Sequence, residues 1–290
     1  PLEIDDKGNL HQDFLQVLPK VTVTWNVPGG YGNSVYASVS KGYKSGGYNT
    51  QMFSDVLQQK MMNIMGVGMR YDINEIISYR PEKSWNYEIG AHVGLPEWRA
   101  DASMALFYID CRDQQLTMFP EGTTTGRVMA NAGRTRSYGA EVSLKVEPVE
   151  GWNLNMSYGL TDARFVRFVS GRTDYAGKRI PYAPRHTMFA GTSYRYGFGR
   201  DSGMAVVANV NVRGLGRIYW DEANTVSQPF YAQIGASVTL ESPRFSLDLW
   251  CENLTGCNFD TFYFVSIGNA FLQRGKPRRI GATFRINLRS

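Results

Sequence analysis

Apolar and polar residues alternate with a period of two along most of this chain. The pattern occurs at 21–27, 84–93, 142–146, 152–158, 204–212, 245–252 and 280–288. In the second of these segments, Trp85, Ile89 and Val93 belong to the apolar series. Side chains of a strand point alternately to its two faces, so the pattern predicts strands with one apolar and one polar face. From 105 to 109 every residue is apolar, and the pattern does not assign the faces.

The connections between strands alternate in length. Short turns containing Gly or Pro fall at 27–31, 94–98, 147–151, 196–201 and 241–244, and connections at 45–81, 120–125, 166–184, 218–227 and 257–276 lie between them, four of which are long. Short periplasmic turns and long extracellular loops are typical of a transmembrane β-barrel. The sequence predicts eleven strands, at 17–27, 33–44, 82–94, 98–119, 126–147, 152–165, 185–196, 203–217, 228–240, 244–256 and 277–288.

One segment departs from the strand pattern. Residues 54–65 place Leu57, Met61 and Ile64 on one helical face, with Ser54 as an N-cap and Gly66 as a stop. This spacing predicts a short amphipathic helix inside the longest loop, packed on the core of that loop.

Composition narrows the class of protein further. The 290 residues include 43% hydrophobic and 13% aromatic residues, which excludes a disordered chain. The mean hydropathy is −0.32, and the chain contains no run of the roughly 18–20 apolar residues that a spanning helix needs. A membrane barrel exposes only alternate residues to lipid, so its mean hydropathy resembles that of a soluble protein. The net charge of +5 and the absence of a Lys/Arg run give no indication of nucleic-acid binding.

Motifs for catalysis or metal binding are absent from the sequence. Its three cysteines and three histidines show no zinc spacing. Cys251 is expected to be a reduced thiol facing lipid, with Cys257 just beyond it at the outer rim. Asp110 and Asp113 are interpreted as ion-paired residues of the lumen. No enzymatic activity and no cofactor are expected.

Seven blocks of sequence resemble TonB-dependent outer-membrane receptors and occur in the order found in that family. They are SVYASVSKGYKSGGYN (34–49), PEKSWNYEIGA (81–91), ALFYIDCRDQQL (105–116), NAGRTRSYGAEV (131–142), GKRIPYAPRHT (177–187), ENLTG (252–256) and PRRIGATFRI (277–286). The first block is most like that of ferric-siderophore receptors. A departure lies at the end, Asn287-Leu288-Arg289-Ser290, where family members often carry a terminal aromatic residue.

This resemblance implies an all-β fold and a partial barrel. Residues 1–290 would form the C-terminal half of a twenty-two-stranded barrel, without the plug domain and the first barrel half. The expected partners are that N-terminal part, TonB acting through the plug, outer-membrane lipid and a ferric siderophore or similar small ligand. The expected location is the outer membrane of a Gram-negative bacterium. Cobalamin, heme and glycan cargo stay open.

Two other functions remain open on sequence alone. One is a passive porin or structural outer-membrane protein, which would have no plug. The other is a soluble all-β carbohydrate-binding or hydrolytic module, which would have an apolar core and a wet exterior.

Candidate ligand-binding residues lie on the side of the long loops. Arg offers forked donors to anionic oxygens, and Tyr or Trp offers apolar area with a polar edge. The loop 166–184 has an excess of basic residues, which could attract an anionic ligand, bind anionic lipopolysaccharide or simply be solvated. An alternative role for each candidate is to hold neighbouring loops together. The candidates are Arg70, Tyr79, Arg80, Arg127, Arg179 and Trp220.

Overall fold

A computed structural model describes residues 11–29, 31–50, 77–118, 128–170, 172–198, 203–266 and 269–287. Eleven long strands form one antiparallel sheet in chain order, as the sequence predicts. Within the described ranges there is no helix that is long and apolar enough to cross a membrane. The strands of the sheet are β1 (Lys20–Asn26), β2 (Ser34–Lys44), β3 (Glu82–Leu95), β4 (Ala100–Met118), β5 (Val128–Val149), β6 (Trp152–Arg167), β7 (His186–Phe198), β8 (Met204–Leu215), β9 (Tyr231–Glu241), β10 (Phe245–Glu252) and β11 (Arg279–Ile286).

Neighbouring strands of the sheet are consecutive in the chain, so all long connections leave the sheet at the same end. Four of these connections contain a two-stranded pair of their own. A short 3-10 helix at Pro96–Trp98 lies at the opposite end. The pairs join Gly47–Tyr48 to Ser78–Tyr79, Val169–Ser170 to Thr173–Asp174, Ile218–Tyr219 to Ser227–Gln228, and Asp260–Ser266 to Asn269–Arg274.

The apolar series of every strand lies on one face of the sheet, here called the outward face. Trp85, Ile89 and Val93 are 39%, 53% and 39% exposed. Ile89 is directly opposite Ala37 and Leu106, so the apolar face continues from strand to strand. The other face, here called the luminal face, carries the polar series. The alternative interpretation as a soluble module, in which these side chains would be buried in a core, is therefore wrong.

The stretch from 105 to 109 follows the same division. Leu106 and Tyr108 are exposed on the outward face. Phe107 points to the luminal face and covers Gly139 of β5, where a Cβ atom would lie only 2.6 Å from the Phe107 ring. An aromatic ring over a glycine of the next strand shields backbone that the glycine cannot cover. This pairing explains an apolar residue on the polar face.

The end of β10 differs from the prediction. The strand was expected to run to residue 256, but it ends at Glu252. Asn253 and Gly256 have φ angles of 49° and 66°, which turn the chain away from the sheet. Cys257 therefore does not continue the strand of Cys251. Cys251 lies opposite Ile280 on the outward face, and Cys111, Cys251 and Cys257 are all free thiols, as expected.

Buried hydrophobic packing is concentrated at the long-loop end. Phe165 of β6 is almost fully buried and packs with Phe168 at a ring-centroid distance of 4.9 Å. Ala132 and Ile180 join the same cluster. The β6–β7 loop is thus anchored on a small hydrophobic core at the top of β5 and β6. The helix predicted at 54–65 lies outside the described residues.

On the outward face, the cost of introducing a charged side chain should depend on its depth in the membrane. Val142 lies between Met104 of β4 and Tyr158 of β6. In the complete barrel, Val142→Arg should lower the free energy of unfolding by roughly 2–4 kcal/mol, because it places a cation near the middle of the hydrocarbon. Tyr138→Arg, on the same strand and face but nearer the interface, should cost only about 0–1 kcal/mol.

Guanidinium unfolding in phospholipid vesicles, followed by tryptophan fluorescence, measures both changes. Equal costs at the two positions, or no cost at Val142, would contradict the assignment of the outward face.

Candidate ligand-binding surface of the long loops

Arg80 of the first long loop presents its side chain to solvent. The side chain is 70% exposed, and its Nη2 lies 2.7 Å from Asp113 Oδ1. Its backbone is held firmly: the N–H donates to Asn131 Oδ1 at 2.7 Å, and the carbonyl accepts from Asn131 Nδ2 at 2.9 Å. An exposed cation on a fixed backbone can donate charge-assisted hydrogen bonds to an anionic ligand.

Tyr79 lies beside Arg80 in the short pair with Gly47–Tyr48. Its ring packs directly on Gly47, where no side chain would fit. Gln115 of β4 ties this region to the sheet by donating from Nε2 to the carbonyl oxygens of Ser45 and Arg80, at 2.7 and 3.2 Å. Tyr79 and Arg80 therefore form one ordered unit with the top of β4 and β5.

Arg179 has a different environment, because its side chain is engaged within the protein. Its Nη2 lies 3.0 Å from Asp162 Oδ2, and only 19% of the side chain is exposed. Asp162 also pairs with Arg164, whose Nε is 2.6 Å from Oδ1. The Arg179 backbone N–H donates to Asn224 Oδ1 at 2.7 Å. Arg179 thus joins the β6–β7 loop to β6 and to the β8–β9 loop.

Trp220 belongs to an aromatic cluster that connects three loops. It is 7% exposed, and its ring lies 5.2 Å from that of Tyr182 in the β6–β7 loop. Tyr182 also stacks on Phe262 of the last loop at 5.5 Å and donates its hydroxyl hydrogen to the Tyr263 carbonyl. The buried ring offers little surface to a ligand and holds the loops together.

The six predicted residues therefore separate into groups. Tyr79 and Arg80 form one unit, and Arg179 and Trp220 belong to a second unit linked through Asn224. Arg70 and Arg127 lie outside the described residues. The positive excess counted for loop 166–184 is smaller in the fold, because Asp162 of β6 binds Arg179.

Buried side-chain amides order these loops, and the sequence reasoning missed them. Asn49 donates to the Met129 carbonyl and accepts from the Met129 N–H, both at 2.8 Å, across 80 residues. Asn253 makes the same kind of pair with Cys257, at 2.9 and 2.8 Å. The ENLTG block contains Asn253, but nothing in the sequence indicates which backbone its amide binds.

Acidic residues near the rim do not form a metal site. In the part of the chain that the structure describes, no three His, Cys, Asp or Glu side chains come together in a way that could hold an ion. Asp110 and Asp113 are ion-paired, as expected, with Arg134 and Arg80. The assignment of Asp110 to the lumen is wrong: it lies opposite Trp85, on the outward face.

One carboxyl in the β8–β9 loop makes loop stability depend on pH. Burial raises the pKa of Glu222 above its ordinary value of 4.5, and the neighbouring Asp221 raises it further. The protonated form therefore favours the folded loop. This contribution is complete below the ordinary pKa and is lost as pH rises through the raised pKa of the folded state.

Glu222→Gln should therefore increase hydrogen-exchange protection of the Trp220 and Val226 amides at pH 7 and have little effect near pH 4. The Trp220 amide donates to the Val226 carbonyl at 3.0 Å, so it reports directly on closure of this loop. Glu97→Gln, in an exposed turn at the other end, is the matched control. Equal protection of wild type and Glu222→Gln at pH 7 would contradict the burial argument.

Comparison with known proteins gives the same architecture. The family model described as "TonB dependent receptor-like, beta-barrel" matches residues 4–254. The pesticin receptor of Yersinia pestis is 26% identical over an alignment 289 residues long, which covers 97% of this chain and 37% of that receptor. The chain thus spans little more than a third of the length of this relative.

Solved structures share the fold at low sequence identity. The ferric yersiniabactin uptake receptor FyuA from Yersinia pestis superposes with a TM-score of 0.71 at 23% identity, over 93% of this chain and 37% of that one. The ferripyoverdine receptor of the outer membrane of Pseudomonas aeruginosa has a TM-score of 0.63 at 18% identity, over 96% and 34%. With most of its length matched by the family model, this chain belongs to the family of TonB-dependent receptor β-barrels.

Proposed function

We propose that this chain is the C-terminal half of the barrel of an outer-membrane active-transport receptor. The complete receptor takes up a ferric siderophore with energy from the inner-membrane TonB system, transmitted through a plug in the lumen. The chain itself performs no catalysis and binds no resident cofactor. Its membrane is the outer membrane of a Gram-negative bacterium.

The observation that carries this proposal is the division of one eleven-stranded sheet into an apolar outward face and a polar luminal face. This division is favoured when the outward face contacts lipid and the luminal face contacts water. The outer edges of β1 and β11 have no partner strand in the described part of the chain. Unpaired backbone groups are not tolerated in lipid, so a further set of strands must close the barrel.

The cargo is inferred from the relatives and from the loops. Relatives of this fold include receptors for ferric yersiniabactin and ferripyoverdine. The exposed guanidinium of Arg80 can donate paired hydrogen bonds to the carboxylate or catecholate oxygens of such a ligand. Tyr79, together with Arg70 and Arg127 as the sequence predicts, completes the proposed contact set.

Arg179 and Trp220 take part in recognition through loop order. Arg179 is bound to Asp162, and Trp220 is buried against Tyr182. Their loss should loosen the loops that frame the site. Arg80 should instead act by direct contact.

Uptake on limiting ligand tests this assignment. In cells carrying the complete receptor, Arg80→Ala should weaken ligand binding by roughly tenfold, the loss expected for charge-assisted hydrogen bonds. Trp220→Ala should weaken binding and also lower hydrogen-exchange protection of the loops. Arg244→Ala, which removes an exposed arginine from a short turn, is the matched control.

Equal losses at Arg80 and Arg244, at equal surface expression, would contradict either the orientation or the transport role. A passive porin is distinguished by its energy requirement. The receptor should lose uptake in cells without TonB, whereas a porin would keep it.

A further inference from the structure

A cavity of about 470 Å³ lies on the luminal face of β6 to β9, below the β6–β7 and β8–β9 loops. Ser157 of β6 is directly opposite Phe189 of β7. Arg213 of β8 lies between Phe189 and Gln233 of β9 in the same row. Tyr231 of β9 lines the cavity on the long-loop side. This cavity, here called the luminal pocket, has the size of a binding site for a small molecule.

Arg213 brings an uncompensated positive charge into the luminal pocket. The residue is exposed, and no acidic side chain pairs with it within the described residues. The ion pair between Arg195 and Glu241 lies at the other end of these strands, near the short turns. Because a guanidinium group is always charged at neutral pH, Arg213 attracts an anion to this part of the lumen.

Phe189 places an aromatic ring beside this charge. The ring lies over Gly191, where a Cβ atom would be only 3.0 Å away from it. The Arg213 Cζ atom is 5.9 Å from the ring centroid, within the range of a cation–π contact. Since Phe189 is only half-buried, part of its ring stays open to the luminal pocket.

A second aromatic surface borders the luminal pocket on β9. Tyr231 stacks on Phe259 of the last long loop, with ring centroids 4.4 Å apart and an angle of 12° between the planes. The Phe259 backbone is fixed in turn, because its carbonyl accepts from the Gly275 N–H at 2.8 Å. The Tyr231 hydroxyl and the Gln233 amide also make hydrogen bonds available on this side.

Together, these side chains favour a ligand that is both aromatic and anionic. Arg213 can donate two parallel hydrogen bonds to a carboxylate or to a pair of neighbouring phenolate oxygens. Phe189 and Tyr231 favour a flat ring, which gains from offset stacking as well as from burial. Aliphatic hydroxamates and hydroxycarboxylates bind iron without a ring, so they would leave both aromatic surfaces uncovered. A hydroxybenzoyl group combines the ring with the anionic oxygens.

We propose that the luminal pocket binds a hydroxybenzoyl group of the cargo and so selects for aryl siderophores, with Arg213 and Phe189 as specificity-determining residues. This inference rests on the proposed function, because it names the chemical class of the ligand that the receptor takes up. It also requires that the plug leaves Arg213 unpaired.

Fluorine NMR on the complete receptor in amphipol tests the proposal, with fluorosalicylate as the probe for a hydroxybenzoyl group. Arg213→Gln should weaken binding by roughly tenfold or more, the loss expected for charge-assisted hydrogen bonds. Phe189→Leu should weaken binding by roughly threefold to tenfold, because it removes the aromatic contact and keeps apolar volume. Arg285→Gln is the matched control and should have no effect, since it removes an exposed luminal arginine near the short turns.

Two further compounds separate the contribution of the charge from that of the ring. Fluorosalicylamide has no carboxylate, so Arg213→Gln should have little effect on its binding, whereas Phe189→Leu should weaken it as before. Millimolar lactate, a hydroxy acid without a ring, should not displace fluorosalicylate. Arg213→Lys keeps the charge but loses the forked donors, so it should recover part of the affinity, and it serves if Arg213→Gln fails to fold.

Equal affinities of the wild type and Arg213→Gln for fluorosalicylate would overturn the proposal. Absence of binding to the wild type would also overturn it and would indicate that the plug occupies the luminal pocket. Displacement by lactate would contradict the selection for a ring. Growth on limiting iron, with and without TonB, separates these failures from failure of the transport role. A receptor that supports TonB-dependent growth but fails the binding tests contradicts only the assignment of the luminal pocket.

Discussion

Hydrogen bonding between neighbouring strands is the constraint on which the rest of this structure depends. A strand that crosses lipid cannot leave its N–H and C=O groups unpaired. Antiparallel pairing in chain order satisfies them from β1 to β11 and sends all long connections to one end. The same pairing fixes the faces, because a slip by one residue would turn every apolar side chain inward. Within the described residues β1 and β11 each have one edge without a partner, and the proposed barrel needs further strands there for the same reason.

Beyond the bilayer, a different set of interactions orders the chain. The loops are held by side-chain amides that bind backbone from distant segments, as the buried Asn49 does with Met129 and the half-buried Asn224 with Arg179. A buried amide left without its partner is costly, so each pair favours a single loop arrangement. Asp162 adds an ionic link where β6 meets the loops.

The strands and their faces could be predicted from the sequence, because lipid and lumen impose a period of two on every strand. Phe107 could not be placed, since its reason for facing the lumen is Gly139, which is 32 residues later in the chain. By side-chain type alone, Arg80, Arg179 and Trp220 were equivalent candidates for ligand binding. The structure separates them, because the groups that engage Arg179 and Trp220 come from other strands and loops.

The most direct test of the account is the lipid accessibility of spin labels along β8. Single labels from Val206 to Val212 in the complete receptor in bilayers should show oxygen accessibility with a period of two. The account predicts high values at Val206, Ala208, Val210 and Val212 and low values at Val207, Asn209 and Asn211. Equal accessibility on both faces, or the opposite phase, would contradict a sheet that has lipid on one side and a hydrated lumen on the other.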